Sequence, residues 1–145
     1  MSDPQRLTPP EGAVVHELPV RVYYEDTDAG GVVYHASYIR FAERGRTEML
    51  RDNGIHHVQM FKETGVGFVV ASLKADYRLP ALLDDLLTVR SWISRVGGAS
   101  MDMEQHIYRK QELIAELSLT LVCIDRNMKA VRLPANVRAL AGVAA

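Results

Sequence analysis

The sequence predicts a single α+β domain in which one long helix packs against an antiparallel sheet. Three observations predict this fold class. An amphipathic stretch of helical period runs from about residue 35 to residue 53. Segments with the two-residue period of half-buried strands precede it and fill most of the chain after residue 67. Short connections favour antiparallel pairing, and a helix and a sheet with one apolar face each can bury those faces against one another.

Length and composition fit one globular domain. The chain has 145 residues, of which 48% are hydrophobic and 24% are charged, an ordinary globular balance. Residues 1–13 contain several prolines among polar residues and are predicted to form a flexible tail, with residues 14–140 forming the domain. The net charge of −1 argues against nucleic acid as a main partner, because no basic excess is present to neutralise phosphates.

The chain carries features expected of a cytoplasmic protein. No apolar run is long enough to cross a bilayer, and no signal peptide is seen at the N-terminus. Its only cysteine, Cys123, cannot form an intramolecular disulfide, which suits a reducing compartment. Because Cys123 lies in an apolar run, we expect it to be a small buried side chain and not a nucleophile.

The first periodic segment, residues 16–26, is predicted to be a strand. Apolar residues alternate with polar ones as far as Tyr24. If the alternation continues, Asp26 and Asp28 leave the strand on its core side. Gly30 and Gly31 follow and suit a tight turn.

A helix is predicted from His35 to Asn53, with Gly54 ending it. Its apolar stripe consists of Tyr38, Phe41, Ala42, Gly45 and Met49. Gly45 inside a helix costs roughly 1 kcal/mol relative to alanine, and close approach of the sheet would explain why it is tolerated. A shorter helical turn is predicted at residues 56–63.

The chain after residue 67 is predicted to form strands almost to its end. The alternating segments are residues 69–79, 87–93, 101–107, 113–123 and 129–133. Together with the first strand they predict a sheet of five to six strands.

Residues 21–38 carry the groups suited to acyl transfer. They place three carboxylates, two glycines, one histidine and four tyrosines where a strand gives way to a helix. Asp28 is a loop carboxylate that can attack a carbonyl or activate water. The helix start near His35 offers unpaired N–H groups to a developing oxyanion. From these residues alone, Asp28 is more often a turn former or helix cap than a catalyst, so both interpretations stay open.

No metal and no organic cofactor is expected. His56 and His57 are adjacent, so they project differently, and no third ligand is suitably spaced. We expect this pair to lie on the surface.

The segment closely resembles the four-hydroxybenzoyl-CoA thioesterase family of hot-dog proteins, in the branch associated with the Tol-Pal system. The resemblance is carried by Arg21-Val22, Asp26-Thr27-Asp28, Gly31-Val32-Val33-Tyr34 and Tyr38, and by the helical stretch from Phe41 to Leu50. Weaker similarity extends it over roughly residues 17–135, nearly the whole domain.

The resemblance implies a hot-dog fold, in which a curved antiparallel sheet wraps a long central helix. It implies homodimers or homotetramers with active sites shared between subunits. The family's catalytic carboxylate falls on Asp28, and the backbone N–H that polarises the thioester carbonyl falls on His35, whose side chain is also placed in the site. Tyr24 and Tyr38 match aromatic positions near the acyl site, and Tyr34, inside the matched block, is assigned there with them.

The resemblance also implies the substrate class. The basic cluster of aryl-specific relatives is not seen before the fourth strand, where Arg95 is the only candidate contact for the CoA phosphates. This departure favours short-chain acyl-CoA thioesters over aromatic ones. Acyl carrier protein is a further candidate partner.

Two alternatives remain open at this point. One is a hot-dog dehydratase that uses His35 with a helix carboxylate such as Glu43. The other is a non-catalytic scaffold for acyl carrier protein or a Tol-Pal-associated complex, in which Asp28 only forms a turn.

Overall fold

The computed structural model describes residues 8–142. Residues 1–7 of the predicted tail lie outside the described residues. The strands are β1 (His16–Arg21), β2 (Gly67–Tyr77), β3 (Leu86–Val96), β4 (Ser100–Arg109) and β5 (Glu112–Ile124). The helices are α1 (His35–Asp52), α2 (His57–Thr64) and α3 (Ala135–Ala139), and a single 3-10 turn covers Tyr24–Asp26.

The five strands form one antiparallel sheet in the order β1-β3-β4-β5-β2. Irregularities of register interrupt the ladders of β2 with β5, β3 with β4, and β4 with β5. Such bulges bend a strand and increase its twist, which is how the sheet curves. The predicted curved sheet of five to six strands is therefore confirmed, with five strands among residues 8–142.

Helix α1 packs on one face of this sheet, and Gly45 is a point of close approach. A Cβ atom added there would lie 2.7 Å from Cγ1 of Val89 and 3.2 Å from polar atoms of Ser91 and Gln105. Because glycine has no Cβ, only glycine at this position of α1 leaves room for the side chains of β3 and β4. The predicted reason for a glycine inside the helix is confirmed.

The core between helix and sheet consists of two clusters that follow α1 from its start to its end. The first surrounds Phe41 and Ala42 and includes Leu87 and Ile107. The second surrounds Met49 and joins the later part of α1 and the residue after it to the opposite strand ends. Its members include Leu50, Ile55, Ile93, Met101, Met103, Leu119, Leu121 and Cys123. Cys123 is fully buried, and burial raises the pKa of its thiol, as expected of a core residue.

Two predicted strands differ from the structure. The first ends at Arg21 and not at residue 26, because the Val22 N–H donates to the Asp85 carbonyl and residues 24–26 turn. The segment 129–133 is not a strand. It contacts β5 through an isolated bridge at Ala130, one bond from the Val131 N–H to the Cys123 carbonyl, and a contact of the Cys123 thiol with the Arg132 carbonyl. Helix α3, which follows it, was not predicted.

No helix among residues 8–142 is long and apolar enough to cross a membrane. Over the same residues, no three His, Cys, Asp or Glu side chains are grouped as metal ligands would be.

Candidate active site

The segment between β1 and α1 is folded back on itself, so that its two ends lie side by side. Thr27 and Val33 form an antiparallel bridge, and the Tyr34 N–H donates to the Asp26 carbonyl at 2.8 Å. The Ser37 hydroxyl, one turn inside α1, donates to the same carbonyl at 3.1 Å. The loop that carries Asp28 is therefore fastened to the first turn of the helix.

The same loop is held against the connection between β2 and β3. The Val33 N–H donates to the Ala81 carbonyl at 2.9 Å, and Val32 forms a bridge with Leu82. The Ala81 N–H in turn donates to the Tyr38 hydroxyl at 3.1 Å. The loop is thus positioned by the sheet on one side and by α1 on the other.

Asp28 stands at the exposed tip of this loop. Its Oδ1 accepts a hydrogen bond from the Gly30 N–H at 2.9 Å, and its N–H donates to the Val32 carbonyl. A Cβ atom at Gly30 would lie 3.2 Å from that Oδ1, and Gly31 adopts a positive φ of 81°. Asp28 therefore does form the turn, as one interpretation of the sequence held, but its carboxylate still faces outward and keeps Oδ2 available.

His35 is the first residue of α1, so its N–H has no acceptor within the helix. No group in residues 8–142 accepts a hydrogen bond from it. The positive end of the helix dipole adds to this donor. The His35 side chain is exposed, and its ring packs at a tilt on Tyr34 with centroids 4.4 Å apart.

The three predicted tyrosines have different surroundings. Tyr34 is exposed beside His35. Tyr38 is only 4% exposed, and burial, the largest influence, raises the pKa of its hydroxyl. Tyr24 is 82% exposed in the 3-10 turn. The structure thus brings Tyr34 to the helix start, places Tyr38 in the core just behind it, and leaves Tyr24 on the outer surface of the turn.

Tyr77, the last residue of β2, is a site residue that the sequence analysis did not identify. Its hydroxyl donates to the His35 carbonyl at 3.0 Å, and its ring lies 5.5 Å from the Tyr38 ring. The side chain is 45% exposed. Its place at the end of an alternating strand gave no sign of this contact, because the bonded partner lies 42 residues away in the sequence.

Two other predicted residues lie away from this cluster. Arg95 is at the far end of β3, about 30 Å of extended strand from Leu86, and it pairs with Asp102 at 2.9 Å. Glu43, proposed as a dehydratase carboxylate with His35, is eight residues along α1, or about 12 Å. Within one subunit the structure therefore brings neither of them to Asp28.

The chemistry that this arrangement can perform is narrow. An unpaired N–H at a helix start suits a carbonyl oxygen that gains negative charge, and an exposed carboxylate fastened to the same turn can attack that carbonyl or accept a proton from water. The rings of Tyr34 and Tyr77 border the donor. The N–H donor, the carboxylate and the two rings are groups suited to acyl transfer. All of them come from residues 26–38 and the end of β2.

Comparison with known proteins agrees with this chemistry. Residues 22–140 match the model of the thioesterase-like superfamily. The chain is 46% identical over 123 residues to the acyl-CoA thioesterase YbgC of Haemophilus influenzae, covering 84% of this chain and 90% of that protein. It is also 46% identical over 121 residues to the acyl-CoA thioester hydrolase YbgC of Escherichia coli, covering 82% and 90%.

Solved structures share the fold. A crystal structure of a probable thioesterase from Bartonella henselae superposes with a TM-score of 0.79 at 38% identity, covering 83% of this chain and all of that one. A 1,4-dihydroxy-2-naphthoyl-CoA thioesterase from Synechocystis superposes with a TM-score of 0.81 over 88% of this chain and 96% of that one. At 21% identity the second comparison speaks for the fold alone.

Proposed function

The chain belongs to the thioesterase-like superfamily, and from this premise we propose that it hydrolyses acyl-CoA thioesters with Asp28 as the catalytic carboxylate. The hot-dog fold implied by the sequence resemblance is confirmed, and the protein is a thioester hydrolase. The observation that carries the proposed site is the pairing of an exposed Asp28 with a free His35 N–H on one folded-back loop.

The His35 N–H is the proposed donor to the thioester oxygen. Negative charge builds on that oxygen when the carbonyl carbon is attacked, and a donor already in place stabilises the charge without reorganisation. The contacts that hold the donor are the bonds from Tyr34 and Ser37 to the Asp26 carbonyl. The exposed imidazole of His35 is placed to contact the acyl or thiol group from the same position.

Asp28 serves the reaction in one of two ways. As a nucleophile, its carboxylate oxygen bonds to the acyl carbon, the thiolate of CoA leaves, and water then cleaves the mixed anhydride. As a general base, Asp28 takes a proton from water while the water oxygen bonds to the acyl carbon and the thiolate leaves. Both routes consume one water and release the free acid and CoA. Trapping an acyl-enzyme supports the first route, and its absence with labelled water oxygen entering only the product supports the second.

Short-chain acyl-CoA is the proposed substrate, and acyl carrier protein is a second candidate carrier of the acyl group. The printed names of the YbgC relatives support acyl-CoA as the substrate class. An assay over acyl-CoA esters of increasing chain length, repeated with acyl carrier protein thioesters, tests both. A cytoplasmic location and a link to the Tol-Pal system stay predictions from the sequence.

We also propose that the protein forms a homodimer or homotetramer in which two subunits share each active site. Strand β2 is an edge strand, and Val69 and Val70 on it are 39% and 46% exposed, which suits pairing with a second copy. A second subunit is also the way for Arg95 to reach a substrate bound at Asp28, since Arg95 lies at the far end of β3 within one subunit. Arg95 would then contact a CoA phosphate. Tyr24, exposed on the turn four residues before Asp28, is proposed to contact the acyl group there.

The deciding experiment compares Asp28→Asn with wild type in a thioesterase assay. The amide oxygen of asparagine can still accept the Gly30 N–H bond, so the loop should keep its conformation. We expect kcat to fall by about 10²–10⁴-fold with an unchanged melting temperature. Glu25→Gln, which neutralises an exposed carboxylate three residues away, is the matched control and should keep full activity. If the Asp28→Asn enzyme keeps nearly wild-type activity, Asp28 only forms the turn and is not the catalytic carboxylate.

A further inference from the structure

The connection between β2 and β3 supports the loop that carries Asp28. Val32 of the loop forms a bridge with Leu82, and the Val32 carbonyl accepts the Asp28 N–H at 2.9 Å. The next loop residue, Val33, donates its N–H to the Ala81 carbonyl, also at 2.9 Å. Asp28 is therefore one hydrogen-bonded residue away from the connection, and a movement of the connection is passed to the loop through these backbone bonds.

Arg109, the last residue of β4, fastens this connection to the sheet. Its Nη1 donates to the Pro80 carbonyl at 3.2 Å and to Oδ2 of Asp85 at 2.8 Å. Pro80 and Asp85 stand on either side of the two residues that bond the loop, Ala81 and Leu82. One nitrogen of the guanidinium therefore holds both ends of the segment that the loop rests on.

Asp85 ties that guanidinium to the backbone of the connection. Its Oδ2 accepts a second hydrogen bond, from the Leu82 N–H at 2.9 Å, and the Leu82 carbonyl accepts the Asp85 N–H at 3.1 Å. The side chains of Arg109 and Asp85 are only 23% and 22% exposed. A hydrogen bond between opposite charges that are partly shielded from water is stronger than one in a fully exposed ion pair.

Arg109 has a second carboxylate partner that offers an internal comparison. Its Nε donates to Oε1 of Glu112 at 3.2 Å, and Glu112 is 56% exposed. The two residues are paired in the ladder of β4 with β5, so this contact lies in a hairpin and not on the connection. The same guanidinium thus makes one contact that supports the Asp28 loop and one that does not.

We propose that Arg109 and Asp85 are positioning residues for the Asp28 carboxylate. The pair fixes residues 80–85, and this segment holds the Asp28 loop at a constant distance from the His35 N–H. A displacement of about 1 Å at a reacting group can lower the rate about 100-fold, so a group that anchors the loop affects catalysis without touching the substrate. The inference rests on the proposed function at Asp28 and His35, and it assigns the geometry of that site to a pair of residues outside it.

Steady-state kinetics of the full-length protein with an acyl-CoA substrate provide the first test. Arg109→Met should lower kcat by about 10–100-fold while KM stays within about twofold of wild type. Arg109→Lys should recover most of the loss, because both contacts with the connection are made by one nitrogen. Glu112→Gln, which neutralises the other partner of the same guanidinium, is the matched control and should keep the wild-type kcat.

Amide hydrogen exchange of the same proteins tests the loop itself. In Arg109→Met the amides of Asp28 and Val33 should exchange at least about tenfold faster. The amide of Leu117, at the centre of β5, is the reference and should be accelerated much less. If Arg109 served only the overall stability, Leu117 would be accelerated as much as Val33. Asp85→Asn should give the same local pattern, and it decides if Arg109→Met fails to fold.

A double variant separates this inference from the catalytic assignment. Asp28→Asn combined with Arg109→Met should be no slower than Asp28→Asn alone, because the group to be positioned is already lost. Losses that multiply, or a raised KM in place of a lowered kcat, would overturn the proposal. A wild-type kcat in Arg109→Met beside an inactive Asp28→Asn enzyme would overturn it too and leave Asp28 as the catalytic carboxylate. A fully active Asp28→Asn enzyme would refute the proposed site, and the exchange rate of Val33 would still decide whether the pair holds the loop.

Discussion

The substitution Gly45→Ala probes a close contact between α1 and the sheet. The new Cβ would lie 2.7 Å from Cγ1 of Val89, a distance that real Cβ contacts do not show. Val89 is fully buried and β-branched, so it has little freedom to rotate away. The polar atoms at 3.2 Å belong to Gln105 and Ser91, which are bonded to each other and cannot move independently.

The size of the effect follows from two opposing contributions. Alanine is a better helix former than glycine by about 1 kcal/mol. Overpacking of a tight core costs about 1–3 kcal/mol, and disturbing the Gln105 bonds costs about 1 kcal/mol more. We therefore expect Gly45→Ala to lower the free energy of unfolding by about 2 kcal/mol, although on helix propensity alone it would raise it.

Urea denaturation at one fixed protein concentration measures this change. Arg44→Ala and Arg44→Gly at the neighbouring exposed position give the propensity difference in the same helix and serve as the control. Val89→Ala removes the clashing methyl, so Gly45→Ala should be milder in that background, by at least about 1 kcal/mol. A Gly45→Ala protein as stable as wild type would refute the argument from close approach.

Three further changes have definite expected outcomes. Tyr77→Phe keeps the ring but removes the bond to the His35 carbonyl, so kcat should fall about tenfold with KM and melting temperature nearly unchanged; an unchanged kcat would remove Tyr77 from the site. Asp85 pairs with Arg109 at 2.8 Å. Burial raises the pKa of Asp85. The hydrogen bonds from the Leu82 N–H and Arg109, together with the charge of Arg109, lower the pKa by more than burial raises it, so the net shift is downward. The resulting stability is present above the unfolded pKa of about 3.9 and is lost as the pH falls through the lower folded value. Asp85→Asn should therefore lower the unfolding free energy by about 1–2 kcal/mol at pH 7 and flatten its decline in acid, whereas an equal decline in both proteins would refute this. Cys123 should react with a thiol reagent only in urea, and rapid labelling of the native protein would contradict its burial.

Much of the fold could be predicted from periodicity, because long segments repeat their signal many times. Helix α1 was predicted within one residue of its end, and Gly45 was assigned its packing role from sequence alone. Short segments carry too few repeats. The run 129–133 alternates like a strand, yet the chain makes only scattered bonds to β5 there, and the five residues of α3 show no clear period.

The sequence predicted the site residues that are close together in the chain, and it missed the contact between residues that are far apart in the chain. Asp28 and His35 lie within one continuous stretch, so a motif could point to both. Tyr77 reaches His35 across 42 residues. This contact leaves no trace in the spacing of nearby residues. Tyr38 matched a site position by motif, but its burial could be seen only in three dimensions.

The strand order has a consequence for how the chain is made. Among residues 8–142, strand β1 pairs only with β3, and β2 pairs only with β5, which ends at Ile124. A ribosome that has released the first 85 residues has therefore produced both future edges of the sheet and neither of their neighbours. Exposed strands without partners invite pairing with other chains. Nascent chains that stop before β3 should need protection by chaperones, whereas one that extends past β5 can complete its own sheet.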